Sequence, residues 1–212
     1  MKDFETIIFD LDGTLIDSVP ICTAILDRMS ISRGGPNVSF IQVRPFVSMG
    51  GVEMIKKVLG PYSINPEDDI KEFREFYLSL STPSESLFPL ALETLSCLRN
   101  QGFTLGICSN KPQHLCEKVL QETMLSNYFS SVIGGDILPR SKPDADHLLA
   151  TISHMNGSIK KTLYIGDSEI DYQTSQNASV PFLFASYGYG NENKIPSTVP
   201  RLKFLSSLMN FF

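Results

Sequence analysis

The sequence predicts an α/β protein: a parallel sheet with helices on both faces, and an all-helical subdomain inserted after the first strand. Three observations carry this reading. Short apolar runs recur along the chain, helical patterns alternate with most of them, and one interval holds helical patterns alone.

The apolar runs are TIIFDL from Thr6, FTLGIC from Phe103, SSVIGG from Ser130, TLYIG from Thr162 and PFLFA from Pro181. Each has the length and continuity of a strand buried on both faces, as the strands of a parallel sheet are. LALETLSCLRNQG places apolar residues at three- and four-residue steps and stops at Gly102. KPQHLCEKVLQETM and PDADHLLATISHM put Pro112 and Pro143 in a first helical turn, where the missing N–H costs nothing. A shorter helix follows from Ser168 to Ala178, and KFLSSLMNFF reads as a terminal helix packing back. Strand and helix in alternation give a Rossmann-like core.

Between the first two strand runs the rhythm breaks. VPICTAILDRM, GVEMIKKVLG and PEDDIKEFREFYLSL are helical patterns, joined by GGPN, GPYSINP and STPSES. A crossover between parallel strands needs one helix, so about seventy residues holding several are too many for a connection. Residues 16–84 are therefore expected to form a helical cap on a core of residues 1–15 and 85–212. Its place is the carboxyl edge of the sheet, where open α/β folds bind ligands.

Composition narrows the class. In 212 residues, 42% hydrophobic content supplies a core, and 19% charged residues is too few for wholesale disorder. The net charge of −5, with both signs interspersed, lacks the basic footprint of a nucleic-acid binder. No stretch approaches the roughly 20 apolar residues of a membrane helix, and the N-terminus lacks a signal-peptide pattern. Cys22, Cys97, Cys108 and Cys116 have neither CxxC spacing nor the density of a disulfide scaffold. A cytoplasmic protein with free thiols is expected.

Polar residues stand where the apolar runs end. Asp10, Asp12 and Thr14 close the first run; Ser109, Asn110 and Lys111 close the second; Asp167 and Asp171 follow TLYIG, and Lys142 lies between in SKPDADHLL. Strand alternation would point Asp10 and Asp12 to one side. Neighbouring carboxylates raise each other's pKa, so such a pair calls for a cation or for proton-transfer work. Parallel strands bring these ends to one rim, and all-oxygen donors there favour Mg²⁺ over zinc. Lys111 reads as surface charge at a helix start. His114, His147 and His154 lie in helical patterns without partner spacing and read as structural.

DLDGT from Asp10, SNK from Ser109, SKP around Lys142 and GDSEID from Gly166 resemble, in order, the motifs of the haloacid dehalogenase (HAD) superfamily. The helical interval resembles that superfamily's C1 cap. LIDSVP, SNKP, GGD and YGYG at Tyr187 are similar to its phosphoglycolate phosphatase branch. The resemblance implies a Mg²⁺-dependent phosphatase acting on a small phosphorylated metabolite. It makes Asp10 the nucleophile and carrier of an aspartyl-phosphate, and Asp12 the general acid and then base. It gives the metal to Asp10, Asp167 and the Asp12 carbonyl, with Asp171 holding metal waters or orienting Lys142. Ser109, Asn110 and Lys142 would bind the phosphoryl group, with Thr14 bracing the loop. The cap loop Ser48–Gly51, with Arg44 just before it, would meet the leaving side of the substrate.

Some positions depart from that branch. Ala145 stands where a second proline is common, Ser179 where a glycine is usual, and RPFVSMGGVEM replaces the familiar cap loop. Asp12 argues against a dehalogenase, and Thr14 stands where sugar phosphomutases usually carry valine. A phospho-receiver domain shares Asp, Ser/Thr, Lys and Mg²⁺ but has no helical insertion. A phosphomutase-like enzyme, or a catalytically weak member that binds phosphorylated ligands, is the alternative.

Overall fold

The structure is a computed structural model and describes residues 4–212. Its strands are β1 (Thr6–Phe9), β2 (Thr104–Cys108), β3 (Ser131–Ile133), β4 (Thr162–Gly166), β5 (Phe182–Ala185) and β6 (Arg201–Leu202). They form one six-stranded sheet in the order β3-β2-β1-β4-β5-β6. Every pairing is parallel, and Phe9 aligns with Ile107 on one side and Ile165 on the other. The two-residue β6 escapes sequence reading because it is too short to carry a period.

Alternation along the strands sends successive side chains to opposite layers. Ile7, Phe9, Leu105, Ile107, Leu163 and Ile165 join one apolar cluster, whereas Ile8, Cys108, Tyr164 and Phe184 join another. Helices α5 (Ala91–Asn100) and α6 (Gln113–Glu122) serve the first layer, and α7 (Asp146–His154) and α8 (Glu169–Ala178) the second. Two proline expectations shift. Pro112 is the N-cap residue of α6, and α7 starts at Asp146 instead of Pro143. The terminal segment Leu205–Asn210 is a 3-10 helix against α5, and the Phe212 ring meets that of Phe103 at 4.5 Å.

Between β1 and α5 the chain holds α1 (Val19–Ser32), α2 (Phe40–Val43), α3 (Gly51–Leu59) and α4 (Pro66–Ser79), with no strand among them. Asn65 starts α4 by accepting a hydrogen bond from Glu67 N at 2.9 Å, and Glu67, Asp68 and Asp69 suit the positive end of the helix. These helices pack mainly on one another, yet Cys22, Ile25, Leu26 and Tyr77 belong to the same cluster as Phe9 and Leu11. The chain enters and leaves the helical insertion side by side. Asp17 N donates to Ser86 O at 2.7 Å, and Phe88 N to Leu15 O at 3.0 Å. All four cysteines are free. Among the described residues no helix is long and apolar enough to cross a membrane.

Candidate active site

The carboxyl ends of β1 and β2 and the loop carrying Lys142 meet beneath the helical insertion and enclose a cavity of about 80 Å³. From the core, Asp10, Asp12, Ser109, Asn110, Lys111 and Lys142 line it. From the insertion come Ser48, Gly50 and Gly51 of one loop, and Ile70, Phe73, Arg74 and Tyr77 along one stripe of α4.

Asp10 and Asp12 share the cavity for a reason other than strand alternation. β1 ends at Phe9, and the chain then turns tightly, with Leu15 N donating to Leu11 O at 2.9 Å and Gly13 N to Ile16 O at 2.8 Å. Gly13 has φ +85, and a Cβ there would lie 2.3 Å from Asp167 Oδ2, so glycine is required twice over. The turn separates the two carboxylates by partner. Asp10 Oδ1 accepts from Lys142 Nζ at 2.9 Å. Asp12 pairs instead with Lys111 Nζ at 3.1 Å and accepts from Ser18 Oγ.

That pairing corrects the reading of Lys111 as surface charge. Its side chain is 7% exposed, and Nζ also donates to Tyr77 Oη at 3.2 Å. Burial pushes its pKa down, but the Asp12 carboxylate outweighs this and holds the ammonium well above its usual range. Nothing in the helical pattern separates an exposed lysine from one tucked under α4.

Lys142 is the electrostatic hub. Nζ donates to Asp10, to Asp171 Oδ1 at 2.7 Å and to Tyr164 Oη at 3.1 Å. Burial opposes its charge, yet Asp10 and Asp171 raise its pKa. Its backbone is held by Asn110: Lys142 N donates to Oδ1 at 2.9 Å, and Asn110 Nδ2 donates to Lys142 O at 3.1 Å. Asp171 is saturated. It accepts from Lys142 and Tyr164 on one oxygen, and from Ser168 N at 3.1 Å and Ser168 Oγ at 2.5 Å on the other. Burial works against its charge, but Lys142 and these donors lower its pKa. In this structure Asp171 orients Lys142.

Asp167 has weaker support. Tyr189 N donates to Oδ2 at 2.7 Å, and Thr14 Oγ1 lies 3.4 Å from Oδ1. Burial, then Asp171 and Asp10, push its pKa well above the usual carboxylate range. Asp10 is raised to about 7, by burial first and by Asp171 and Asp12 further, against the pull of Lys142. Oxygens of Asp10, Asp167 and Asp171 lie within 4.8 Å of one another. Three carboxylates share one ammonium there, and Asp10 Oδ2 has no donor among the described residues. A hard divalent cation fits this donor set and would supply the missing charge.

Ser109 is buried, with N donating to Ile133 O at 3.0 Å and Oγ accepting from Lys111 N at 3.2 Å. The loop after β5 was legible only as a family marker, and the structure shows its work. Tyr187 Oη donates to Thr14 O at 2.7 Å, Tyr189 binds Asp167 and Asp17, and a Cβ on Gly188 would lie 2.3 Å from Asp167 Cβ. Arg44 does not line the cavity. Its guanidinium donates to Gly188 O at 2.6 Å and lies over the Tyr189 ring, joining the insertion to this core loop. Tyr164 was hidden inside an apolar strand run, although a buried phenol always needs a partner. None of the histidines lines the cavity.

The chain is similar to known proteins in sequence and in fold. The family model for haloacid dehalogenase-like hydrolases matches residues 7–185. A phosphoglycolate phosphatase of Vibrio cholerae is 35% identical over 208 residues, covering 94% of this chain and 92% of that protein. One from Pseudomonas putida is 33% identical over 202 residues, covering 92% and 74%. A solved structure from Haemophilus somnus, described as a predicted phosphoglycolate phosphatase, has a TM-score of 0.84 at 24% identity, covering 99% of this chain and 98% of its own. A β-phosphoglucomutase from Clostridium difficile has a TM-score of 0.77 at 17% identity, covering 97% and 93%; both likenesses are of fold. With a family model spanning most of its length, three motifs lining one cavity and the fourth joined to them through Lys142 and Asp10, the chain belongs to the haloacid dehalogenase-like hydrolases.

Proposed function

We propose that the protein is a phosphatase that hydrolyses a small phosphomonoester through an aspartyl-phosphate on Asp10, with Mg²⁺ as cofactor. The relatives named phosphoglycolate phosphatase support the reaction class. The observation that carries the mechanism is Asp10 itself. Its carboxylate is buried at the cavity floor, one oxygen is held by Lys142, and the other is left for phosphorus.

Asp10 attacks phosphorus as the bond to the leaving oxygen breaks, and Asp12 donates a proton to that oxygen. Asp12, now a carboxylate, takes a proton from water as the water oxygen attacks phosphorus and Asp10 is released. Lys142, the Ser109 hydroxyl and the Asn110 N–H stabilise the phosphoryl oxygens through both steps. Lys111 and Ser18 hold Asp12 in reach of the cavity. Asp10, Asp167 and the Asp12 carbonyl would hold Mg²⁺, which supplies charge neutralisation between the anionic nucleophile and the phosphoryl group. The residues of the insertion act as a cap that excludes water and meets the leaving group.

The test is turnover of p-nitrophenyl phosphate. Activity is expected with Mg²⁺, is lost in excess chelator and returns with Mg²⁺, with Ca²⁺ a poor replacement because its looser coordination misplaces the nucleophile. Asp10→Asn abolishes both turnover and phosphoenzyme. Full activity in chelator, or a phosphoenzyme in Asp10→Asn, would overturn the mechanism. No turnover with any phosphomonoester leaves the weak ligand-binding member as the reading.

A further inference from the structure

We propose that Arg74 of α4, assisted by the Ser48 hydroxyl, forms a subsite for a carboxylate on the leaving group of the substrate. The inference rests on the phosphatase reading and assigns the residues that select its substrate.

α4 turns Ile70, Phe73, Arg74 and Tyr77 into the cavity at the three- and four-residue steps of one helical stripe. An arginine on an otherwise apolar and aromatic stripe needs a reason. Arg74 Nε is buried without a hydrogen-bond partner, and Arg74 forms no ion pair among the described residues. Leaving such a donor unpaired forfeits its hydration with nothing in return, and the cost is larger for a charged group. The cations lining the cavity are Arg74, Lys111 and Lys142. Lys111 is matched by Asp12, and Lys142 by Asp10 and Asp171. Arg74 alone faces the cavity without a counter-charge.

A second orphan stands in the same cavity. Ser48 Oγ is also buried without a partner, on the loop that brings Gly50 and Gly51 to the cavity wall. Two unpaired donors from separate parts of the insertion, above a phosphoryl site on the core, describe a place for an acceptor. A planar fork and one hydroxyl suit the two oxygens of a carboxylate. A second phosphate, with three oxygens and a larger charge, would find one cation there. At about 80 Å³ the cavity holds a leaving group of a few heavy atoms, consistent with a compact hydroxy-acid. Arg44, committed to Gly188 O outside the cavity, is not needed for this subsite.

Binding to catalytically silent protein tests the proposal independently of turnover. In the Asp10→Asn background with Mg²⁺, titration calorimetry compares 2-phosphoglycolate, ethyl phosphate and ethylene glycol bisphosphate. 2-Phosphoglycolate is expected to bind about ten- to a hundredfold more tightly than ethyl phosphate. Adding Arg74→Met, which keeps the apolar stem, removes most of that ratio; Arg74→Lys keeps a small part; Ser48→Ala reduces it severalfold. The ratio is read within each variant, so a general loss of fold does not imitate the effect, and Arg74→Lys decides if Arg74→Met does not fold. A ratio near one before Arg74 is changed, or a ratio that survives Arg74→Met and Arg74→Lys, overturns the subsite. Tightest binding of the bisphosphate overturns the carboxylate assignment. Wild-type protein that binds with the expected ratio but hydrolyses none of the three fails the phosphatase reading instead.

Discussion

Asp12 illustrates what a single carboxylate can be asked to do. It lies two residues from Asp10, the proposed nucleophile, yet it answers to Lys111 and Ser18 while Asp10 answers to Lys142. Acid catalysis matters most when the leaving oxygen is strongly basic. Asp12→Asn should therefore phosphorylate Asp10 poorly from an ordinary alkyl phosphate. A nitrophenolate leaves unaided, so p-nitrophenyl phosphate should still form the phosphoenzyme. The amide cannot activate water, and the intermediate should accumulate, visible by rapid quench or intact mass under acid. Equal slowing of both substrates with no intermediate would move Asp12 to a purely structural role.

At the scale of elements, several of the candidate site residues are placed by the end of a strand or the start of a helix, and small departures there have consequences. α8 ends at Ala178, and its C-cap Ser179 takes φ 55 and ψ 35. That left-handed conformation costs an L-residue about 1–2 kcal/mol, partly offset by the entropy a glycine would lose. This is the physical reason a glycine is usual at the position. Ser179 is exposed and its side chain makes no contact that the change would remove. Ser179→Gly should stabilise the fold by about 0.5–1 kcal/mol and raise Tm by about 1–4 °C. An unchanged or lower Tm in thermal unfolding would show that the cap strain is relieved elsewhere. α8 also carries Asp171 in its first turn, where Ser168 and Asp171 exchange hydrogen bonds as a capping box. One residue thus starts the helix and orients Lys142.

The whole molecule holds a buried cluster of three carboxylates around one ammonium. Burial raises Asp10 to about 7 and Asp167 well above the usual carboxylate range. A group raised in the folded state contributes stability that is fully present below its unfolded value, about 4, and lost as pH rises through the folded one. Asp171 is lowered and works in the opposite sense, losing its contribution as pH falls below about 4. Metal-free protein should therefore lose Tm between about pH 4 and pH 7 and beyond. Bound as proposed, Mg²⁺ would compete with the protons on Asp10 and Asp167, so the Tm gained on adding it should grow over the same interval. Differential scanning in chelator and in Mg²⁺ measures this; a gain independent of pH from 5 to 8 would contradict it.

The order of elements, the parallel sheet and the set of polar strand ends were legible in the chain because they depend on local pattern. Apolar runs of strand length, helical spacing and a helix-only interval each need only neighbours in sequence, and Asp10, Ser109 and Asp167 stand at run ends whatever lies opposite. Tertiary structure alone decided partners. Whether Lys111 is surface or buried, whether Arg44 or Arg74 faces the cavity, and whether Tyr164 and Tyr189 carry their hydroxyls to Asp171 and Asp17 depends on residues distant in sequence. Pairing and burial are properties of the packed surfaces, and a charged side chain on a helix stripe reads the same in sequence whether water or a substrate will meet it.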